Sequence, residues 1–177
     1  MRGVTKLTKK SVEFLQSIAV SILAAIFIIV FILETVSVDG KSMLPTFESG
    51  DRLIIEKISV RFTKPKVNDI VVFKFPADTR EKYIKRVVAV AGDRVKIENN
   101  RVFINGIEKE EPYLNEAYIN EGFQEAIVPE NSIFVLGDNR NYSKDSRAKD
   151  IGFVNIKLIV GKALFRIYPI KRIGRVR

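Results

Sequence analysis

One uncharged run of twenty residues, from Phe14 to Leu33, most constrains how this 177-residue chain can fold. A helix rises about 1.5 Å per residue, so this run would extend roughly 30 Å, the hydrocarbon thickness of a bilayer. It is apolar on every side, whereas a core helix normally carries polar residues at helical spacing. It is also longer than the roughly 7–15 apolar residues of a cleaved signal peptide. We therefore predict an uncleaved transmembrane helix over residues 14–33.

The charges flanking this run predict its orientation. Four basic residues precede it: Arg2, Lys6, Lys9 and Lys10. Because the cytoplasmic flank of a span carries the excess of Lys and Arg, we expect a cytoplasmic tail over residues 1–13 and an extracytoplasmic domain over residues 34–177. The net charge of +9, concentrated at both ends of the chain, favours contact with membrane lipid. It does not indicate nucleic acid, since no RNP-like or zinc motif accompanies it.

The residues after the span predict a mainly β domain. Short segments rich in Val, Ile and Phe, often alternating with polar residues, are separated by turn signals such as Gly92-Asp93. Asn105-Gly106 lies between two of these segments and is a strong hairpin signal. Strands at this spacing favour an antiparallel, barrel-like sheet over βαβ units. The stretch over about 97–131 includes an acidic part without periodic pattern, and we expect a small inserted subdomain there.

The chain contains neither cysteine nor histidine. Their absence excludes disulfides, cysteine nucleophiles, the Ser-His-Asp triad and histidine-based zinc sites. Hydrolytic chemistry in such a chain requires a Ser or Thr with a lysine base, or a pair of carboxylates. No metal and no organic cofactor is implied.

Three segments carry side chains suited to that chemistry: DGKSMLPT at 39–46, YIKRVVAVAGD at 83–93 and GDNRNYSKDSR at 137–147. Each alone has an ordinary structural explanation, as a turn, a solvated strand face or a loop whose Asp and Asn cap turns. In this order behind one N-terminal span, the three together resemble bacterial type I signal peptidases. The resemblance extends over nearly the whole chain.

A serine–lysine pair makes chemical sense in this chain. The hydroxyl of Ser42 needs a nearby base, and Lys85 is the candidate where no histidine exists. A free lysine has a pKa near 10.4, but burial lowers that pKa because desolvation penalises the ammonium form. We predict that neutral Lys85 accepts the Ser42 proton and later passes it to the leaving amine. Side chains alternate between the two faces of a strand, so Arg86 would lie on one face. The other face would carry five residues: Tyr83, Lys85, Val87, Ala89 and Ala91.

The resemblance also implies supporting residues, namely Ser143, Asp145, Arg147 and Asp138 with Arg140. Ser143 would hydrogen-bond Lys85 and orient it, while Asp145 and Arg147 would form a structural ion pair. The backbone N–H of Ser42 would supply one oxyanion donor. Some relatives have a serine two residues before the nucleophile, where this chain has Gly40. A backbone N–H near Gly40 or a bound water would then replace that donor, and both remain open.

For the substrate, the resemblance implies small side chains, typically Ala, three residues and one residue before the cleaved bond. Met43, Tyr83 and Ile84 are the expected substrate-binding residues, and the peptide would pair with a strand edge. The implied protein is a serine endopeptidase of the bacterial plasma membrane that removes signal peptides from exported preproteins. Its partners would be those signal peptides and membrane lipid, with the oligomeric state left open.

Other functions remain as alternatives. Self-cleaving SOS repressors resemble this catalytic fold and use Ser with Lys, but they carry a DNA-binding domain, and residues 1–40 contain no helix-turn-helix pattern. A pair of catalytic carboxylates, Asp138 and Asp145, lacks the Asp-Thr/Ser-Gly context. A non-catalytic, membrane-tethered β domain acting as a binding or assembly factor would use the basic surface instead, with Ser42 as a turn residue.

Overall fold

The computed structural model describes residues 2–114 and 122–176. Three parts of the sequence-based expectations therefore fall outside the described residues. They are Met1 of the expected cytoplasmic tail, residues 115–121 of the expected inserted subdomain, and Arg177 at the basic C-terminus.

The N-terminal part is one long helix. Helix α1 spans Arg2–Phe27 and continues as a π-helical stretch over Ile28–Ile32. Within the described residues, Lys9–Phe27 is the one helical segment long and apolar enough to cross a membrane, and it is not packed against the rest of the protein. The N-terminal apolar helix expected from the sequence is therefore present.

The helix passes directly into the sheet. Strand β1 begins at Leu33, immediately after the π-helical stretch, and Leu33 pairs with Glu56. The N–H of Lys57 donates to the carbonyl of Ile32 at 2.9 Å. The end of the helical segment is thus fastened to the domain by a backbone hydrogen bond, without an intervening loop.

In the described part of the chain, the larger of two antiparallel sheets has eight strands. Seven follow the order β1-β2-β11-β3-β4-β9-β10, and β12 pairs with β11. The strand bounds are Leu33–Ser37 (β1), Arg52–Glu56 (β2), Ile70–Phe75 (β3), Asp78–Val90 (β4), Ser132–Leu136 (β9), Val154–Asn155 (β10), Ile159–Tyr168 (β11) and Gly174–Arg175 (β12). Four short helical turns connect strands: Ser59–Phe62 (α2) and the 3-10 turns Arg140–Tyr142, Ile156–Leu158 and Ile170–Arg172.

The smaller sheet overlaps most of the stretch expected to be inserted, but it begins earlier, at Arg94. Its strands, in the order β7-β6-β5-β8, are Arg94–Glu98 (β5), Arg101–Ile104 (β6), Ile107–Glu108 (β7) and Phe123–Ile127 (β8). Asn105 and Gly106 both have positive φ, at 54° and 80°, and close the β6–β7 hairpin. This is the conformation that favours Asn-Gly in two-residue hairpins, so the predicted hairpin is present.

Three clusters of buried apolar side chains lie among residues 34–114 and 122–176. One joins the two sheets and includes Val88, Val95 and Phe134. The second lies beneath β1, β2 and the turn that connects them, and it contains Met43 and Phe47. The third packs residues of β3, β4 and β9 with the segment near β10. The prediction of a mainly β, antiparallel domain behind an N-terminal apolar helix is confirmed.

Candidate active site

Ser42 lies in a tight turn that follows β1. The N–H of Val38 donates to the Asp51 carbonyl at 2.8 Å, and the N–H of Phe47 donates to the Met43 carbonyl at 2.8 Å. Val38 precedes the serine, Met43 and Phe47 follow it, and all three are buried, so core side chains anchor the turn on both sides of the serine. Ser42 itself stays partly accessible at the surface of this anchored turn.

Lys85 lies on a different element from Ser42 and contacts it across the groove. It lies on β4, paired with Val71 of β3, and is 4% exposed. Its Nζ is 2.8 Å from the Ser42 Oγ and donates to the Ile84 carbonyl at 2.9 Å. The two residues chosen from the sequence, 43 positions apart in the chain, are therefore in hydrogen-bonding contact.

Burial lowers the pKa of Lys85 to about 8, because the ammonium form is separated from water. The carboxylates of Asp145 and Asp138 act against this by stabilising the positive charge. A lysine with this pKa is partly neutral at neutral to mildly alkaline pH, so its nitrogen can accept a proton there.

A loop after β9 forms the wall behind the pair. The N–H of Asn139 donates to the Ser42 carbonyl at 2.9 Å. A Cβ added at Gly137 would lie 2.5 Å from that same carbonyl oxygen and would also collide with the side chain of Ser143. Gly137 is thus needed for the close approach of this loop to the serine turn, rather than for an unusual backbone angle.

Ser143 lies at this wall but does not make the expected hydrogen bond to Lys85. Its Oγ is buried and has no hydrogen-bond partner within the described residues. Lys85 instead uses the Ser42 Oγ and the Ile84 carbonyl. The expectation of a Ser143–Lys85 hydrogen bond is therefore wrong for this structure, because the amine is directed along its own strand and toward Ser42.

The expected ion pair between Asp145 and Arg147 is present. The Arg147 Nε and Nη2 lie 2.8 and 3.0 Å from the two carboxylate oxygens of Asp145, which is 1% exposed. Asp145 also accepts a hydrogen bond of 3.0 Å from the Gly137 N–H. The pair therefore fixes the glycine that packs against the serine turn.

Asp138 supports the site through a partner that the sequence did not suggest. It forms a buried, two-pronged pair with Arg86, at 2.8 and 2.6 Å, and accepts a hydrogen bond of 2.5 Å from the Thr46 hydroxyl. Arg86 is 2% exposed. This contact links β4, the serine turn and the loop after β9 in one charged cluster next to Lys85.

Arg140, expected to act together with Asp138, pairs with Glu111 instead. Its two terminal nitrogens lie 2.8 and 2.6 Å from the Glu111 carboxylate, and its Nε donates to the Gly137 carbonyl at 3.0 Å. The guanidinium of Arg86 stacks over the ring of Tyr113, 4.0 Å from its centre. Glu111 and Tyr113 thus connect the segment after β7 to the site, a role that sequence reasoning missed.

Two backbone N–H groups are relevant to an oxyanion. The Ser42 N–H takes part in no backbone hydrogen bond among the described residues. The Gly40 N–H is 3.4 Å from the Ser49 Oγ, and Gly40 has a φ of +89°. The positive φ suits glycine and turns the chain just before the serine. Whether Gly40 or a water provides the second donor stays a sequence-based expectation.

A groove of about 600 Å³ extends from the pair. Its lining residues come from β1, the serine turn, β3, β4 and the loop after β9: Glu34–Ser42, Val72, Lys82–Lys85, Tyr142 and Lys144. Tyr83 and Ile84, expected to bind substrate, do line it. Met43 does not, because its side chain turns into the core cluster beneath β1 and β2, and its expected role in substrate binding is not supported.

The expected single face of β4 is interrupted. The pairing of β4 with β9 has an irregularity between Val87 and Ala89. As a result Val88 and Ala89 both enter the cluster between the sheets, while Val87 packs with β3 and β9. Ala91 lies beyond the end of the strand at Val90. The alternation therefore holds from Tyr83 to Val87 and not beyond.

No group of three or more acidic side chains suitable for a metal ion occurs in residues 2–114 and 122–176. A serine hydroxyl in contact with a buried amine, at one end of a groove between two strands, suits a peptidase in which lysine replaces histidine as the base.

Comparison with known proteins agrees with this class. The chain belongs to the signal peptidase family, peptidase S26, whose family model matches residues 11–168. It is 37% identical over 171 residues to a probable signal peptidase I-1 of Synechocystis, covering 93% of this chain and 86% of the relative. It is 39% identical over 168 residues to signal peptidase I of Bacillus caldolyticus, covering 88% and 89% of the two chains.

A solved structure is also similar. The crystal structure of a signal peptidase I from Enterococcus faecalis matches with a TM-score of 0.50 and 33% sequence identity. The match covers 56% of this chain and 97% of that one. The family membership expected from the three sequence segments is confirmed.

Proposed function

We propose that this membrane protein is a serine endopeptidase that removes signal peptides from exported preproteins, with Ser42 as nucleophile and Lys85 as general base. Its membership of the signal peptidase family supports the reaction and the substrate class. The observation that carries the residue assignment is the 2.8 Å contact between the Lys85 Nζ and the Ser42 Oγ. Either residue alone would have an ordinary structural explanation.

In the first half of the reaction, neutral Lys85 takes the hydroxyl proton as the Ser42 Oγ attacks the carbonyl carbon of the scissile bond. The carbonyl oxygen becomes an oxyanion, for which the Ser42 N–H is a candidate donor. Lys85 then gives its proton to the nitrogen of the mature protein, and the C–N bond breaks. The signal peptide remains attached to Ser42 as an ester.

In the second half, a water molecule takes the place of the departed amine. Lys85, again neutral, accepts a proton from this water as its oxygen attacks the ester carbonyl. Collapse of the second tetrahedral intermediate returns the proton to the Ser42 Oγ and frees the signal peptide with a new carboxylate. The loop after β9 holds the serine turn in place, because the Asn139 N–H donates a hydrogen bond to the Ser42 carbonyl.

The groove supports binding of an extended peptide. At residues 82–85, strand β4 pairs with β3 on one side, and its pairing with β9 begins only at Arg86. Strand β1 pairs with β2. Each strand thus presents one edge to the groove, where a peptide can add main-chain hydrogen bonds of low sequence selectivity. Apolar side chains of Val36, Val72 and Ile84 line it, and we propose that they accept small residues before the cleaved bond.

The same proposal gives the topology. The span over residues 14–33 would leave the basic tail over 1–13 in the cytoplasm and the catalytic domain over 34–177 outside, at a bacterial plasma membrane. The scissile bond of a preprotein emerges at that outer surface. The short connection between α1 and Ser42 supports this placement, because it keeps the site close to the membrane.

The test is cleavage of a preprotein with Ala-x-Ala before its mature start by the full-length protein in detergent. Wild type should cleave after the last Ala, whereas Ser42→Ala should be inactive with an unchanged circular dichroism spectrum. Ser59→Ala, in α2 and outside the groove, is the matched control and should cleave like wild type. Equal cleavage by the wild-type and Ser42→Ala proteins would overturn the assignment, and folded but inactive wild type would favour a tethered binding domain.

A further inference from the structure

The groove has a contact at each end between a lysine of β4 and an oxygen across from it. At one end, Lys85 meets Ser42. At the other end, the Nζ of Lys82 lies 2.9 Å from Oε1 of Glu34, on β1. Lys57 approaches Oε2 of the same carboxylate at 3.7 Å. Both Glu34 and Lys82 line the groove, so this ion pair spans the gap between the two strands that frame it.

The Glu34 end is the end nearest the membrane-spanning helix. Glu34 is the second residue of β1, and the helical stretch ends at Ile32. The apolar part of a signal peptide lies on the N-terminal side of the cleaved bond and favours the bilayer. A substrate with its scissile carbonyl at Ser42 therefore extends its N-terminal side past Glu34 and Lys82.

The geometry also indicates which substrate residue meets the ion pair. Lys82 is three positions from Lys85, which corresponds to roughly 10 Å in an extended strand. A peptide running along β4 rises by about the same amount per residue. The residue that reaches the ion pair is then three or four positions upstream of the residue at Ser42, which makes it the fourth or fifth before the cleaved bond.

The carboxylate of Glu34 is negatively charged in this ion pair. The hydrogen bond from Lys82 lowers the pKa of Glu34, with a further contribution from Lys57, so the carboxylate stays ionised at neutral pH. The Glu34 and Lys82 side chains remain 32% and 44% exposed, so an incoming side chain can reach both. A charged substrate residue would compete for one partner and be repelled by the other, which costs binding free energy.

We propose that the Glu34–Lys82 ion pair is a specificity-determining contact that reads the charge of the fourth or fifth residue before the cleaved bond and favours an uncharged residue there. This inference rests on the proposed function, because it assumes that a signal peptide occupies the groove. It assigns to the pair a role in substrate selection, separate from the chemistry at Ser42.

The experiment uses the full-length protein in detergent and preproteins that differ only at the fourth or the fifth residue before the cleaved bond. Each position carries Ala, Asp or Lys. The readout is the ratio of kcat/KM for the Lys substrate to that for the Asp substrate. Lys82→Glu places two carboxylates at the contact and should raise this ratio about tenfold, whereas Glu34→Lys should lower it about tenfold. The double variant, Glu34→Lys with Lys82→Glu, should return it to within about twofold of wild type.

A matched control lies on the small sheet. Lys96 and Glu98 form a similar ion pair at 2.8 Å that does not line the groove, so Lys96→Glu should leave the ratio unchanged. At about 0.5 M salt the ratios of the single variants should move toward the wild-type value, since exposed charges are screened. Should a charge reversal prevent folding, Lys82→Gln and Glu34→Gln are expected to shift the ratio in the same directions by about threefold.

The two ideas fail in different ways. A ratio unchanged by both single variants, while wild type still cleaves the Ala substrate and Ser42→Ala does not, overturns the role of the ion pair alone. Absence of Ser42-dependent cleavage in wild type overturns the proposed function, and with it the inference. A ratio changed to the same extent by Lys96→Glu would show a long-range charge effect and would also overturn the role of the pair.

Discussion

Lys82 and Lys85 lie three residues apart on β4, and each amine lies within hydrogen-bonding distance of an oxygen across the groove, at 2.9 and 2.8 Å. The surroundings of the two amines differ. Lys85 is 4% exposed and its pKa is lowered to about 8, while the Lys82 side chain is 44% exposed and faces a carboxylate. The same side chain is suited to proton transfer in one place and to charge recognition in the other.

The difference arises from how far β9 covers β4. Pairing between these strands begins at Arg86, opposite Leu136, and the loop after β9 then closes over Lys85 and Ser42. Lys82 lies beyond that cover, on the part of β4 paired with β3 alone. Burial, and not the identity of the residue, decides which lysine can act as a base.

Replacing each lysine with methionine gives the largest expected contrast. Lys85→Met should lower kcat on an Ala-x-Ala preprotein by roughly 10³-fold or more, because no other base contacts Ser42 among the described residues. Lys82→Met should change kcat by less than about tenfold, since it alters a partly exposed ion pair. Initial rates at saturating substrate measure both. Similar losses for the two variants would show that burial does not separate their roles.

The wall that buries Lys85 offers a second, smaller contrast. Gly137→Ala should destabilise the protein by about 1–3 kcal/mol and lower kcat/KM by at least about tenfold, because the new methyl group must displace the Ser42 carbonyl or Ser143. Gly174→Ala is the matched control, since nothing lies within 4 Å of its added Cβ. Thermal unfolding and preprotein cleavage measure the two effects. Equal behaviour of the two glycine variants would contradict the steric account.

The smallest expected effect is on stability. The pKa of Lys85 is lowered from its ordinary value of 10.5 to about 8 in the folded protein. Between these pH values the unfolded chain binds more protons than the folded one, so the free energy of unfolding should rise with pH across this window. Below pH 8 the amine is charged in both states, and its burial is fully unfavourable.

Lys85→Met should therefore stabilise the protein by about 1–3 kcal/mol at pH 7, with the advantage disappearing above about pH 10.5. Lys82→Met should change stability by less than about 1 kcal/mol at either pH. Urea unfolding in detergent at pH 7 and at high pH measures these values. A destabilised Lys85→Met protein at pH 7 would mean that the hydrogen bonds of the amine outweigh its burial.

Local sequence patterns predicted a large part of this molecule. The apolar run, the β character and the Asn105-Gly106 hairpin follow from composition and turn chemistry, and the motif resemblance identified Ser42 and Lys85. The same resemblance implied the Asp145–Arg147 pair, whose members are two residues apart in the chain.

Long-range packing determined the features that were missed. Met43 is next to Ser42 in sequence, yet the turn directs its side chain into the core. Asp138 pairs with Arg86 rather than Arg140, because the cover of β9 over β4 brings those two together. No local pattern places Glu111 beside the site, since its contact joins segments 29 residues apart.

The backbone hydrogen bond from the Lys57 N–H to the Ile32 carbonyl joins the end of the helical segment directly to the β domain. In the proposed topology no loop separates the helical segment from β1, so the helix would set the height of the groove above the bilayer. A helix tilts when its apolar length exceeds the thickness of the hydrocarbon layer. In this topology such a tilt would change the distance of Ser42 from the membrane surface. The length of the lipid chains would then affect which peptide bonds Ser42 can reach.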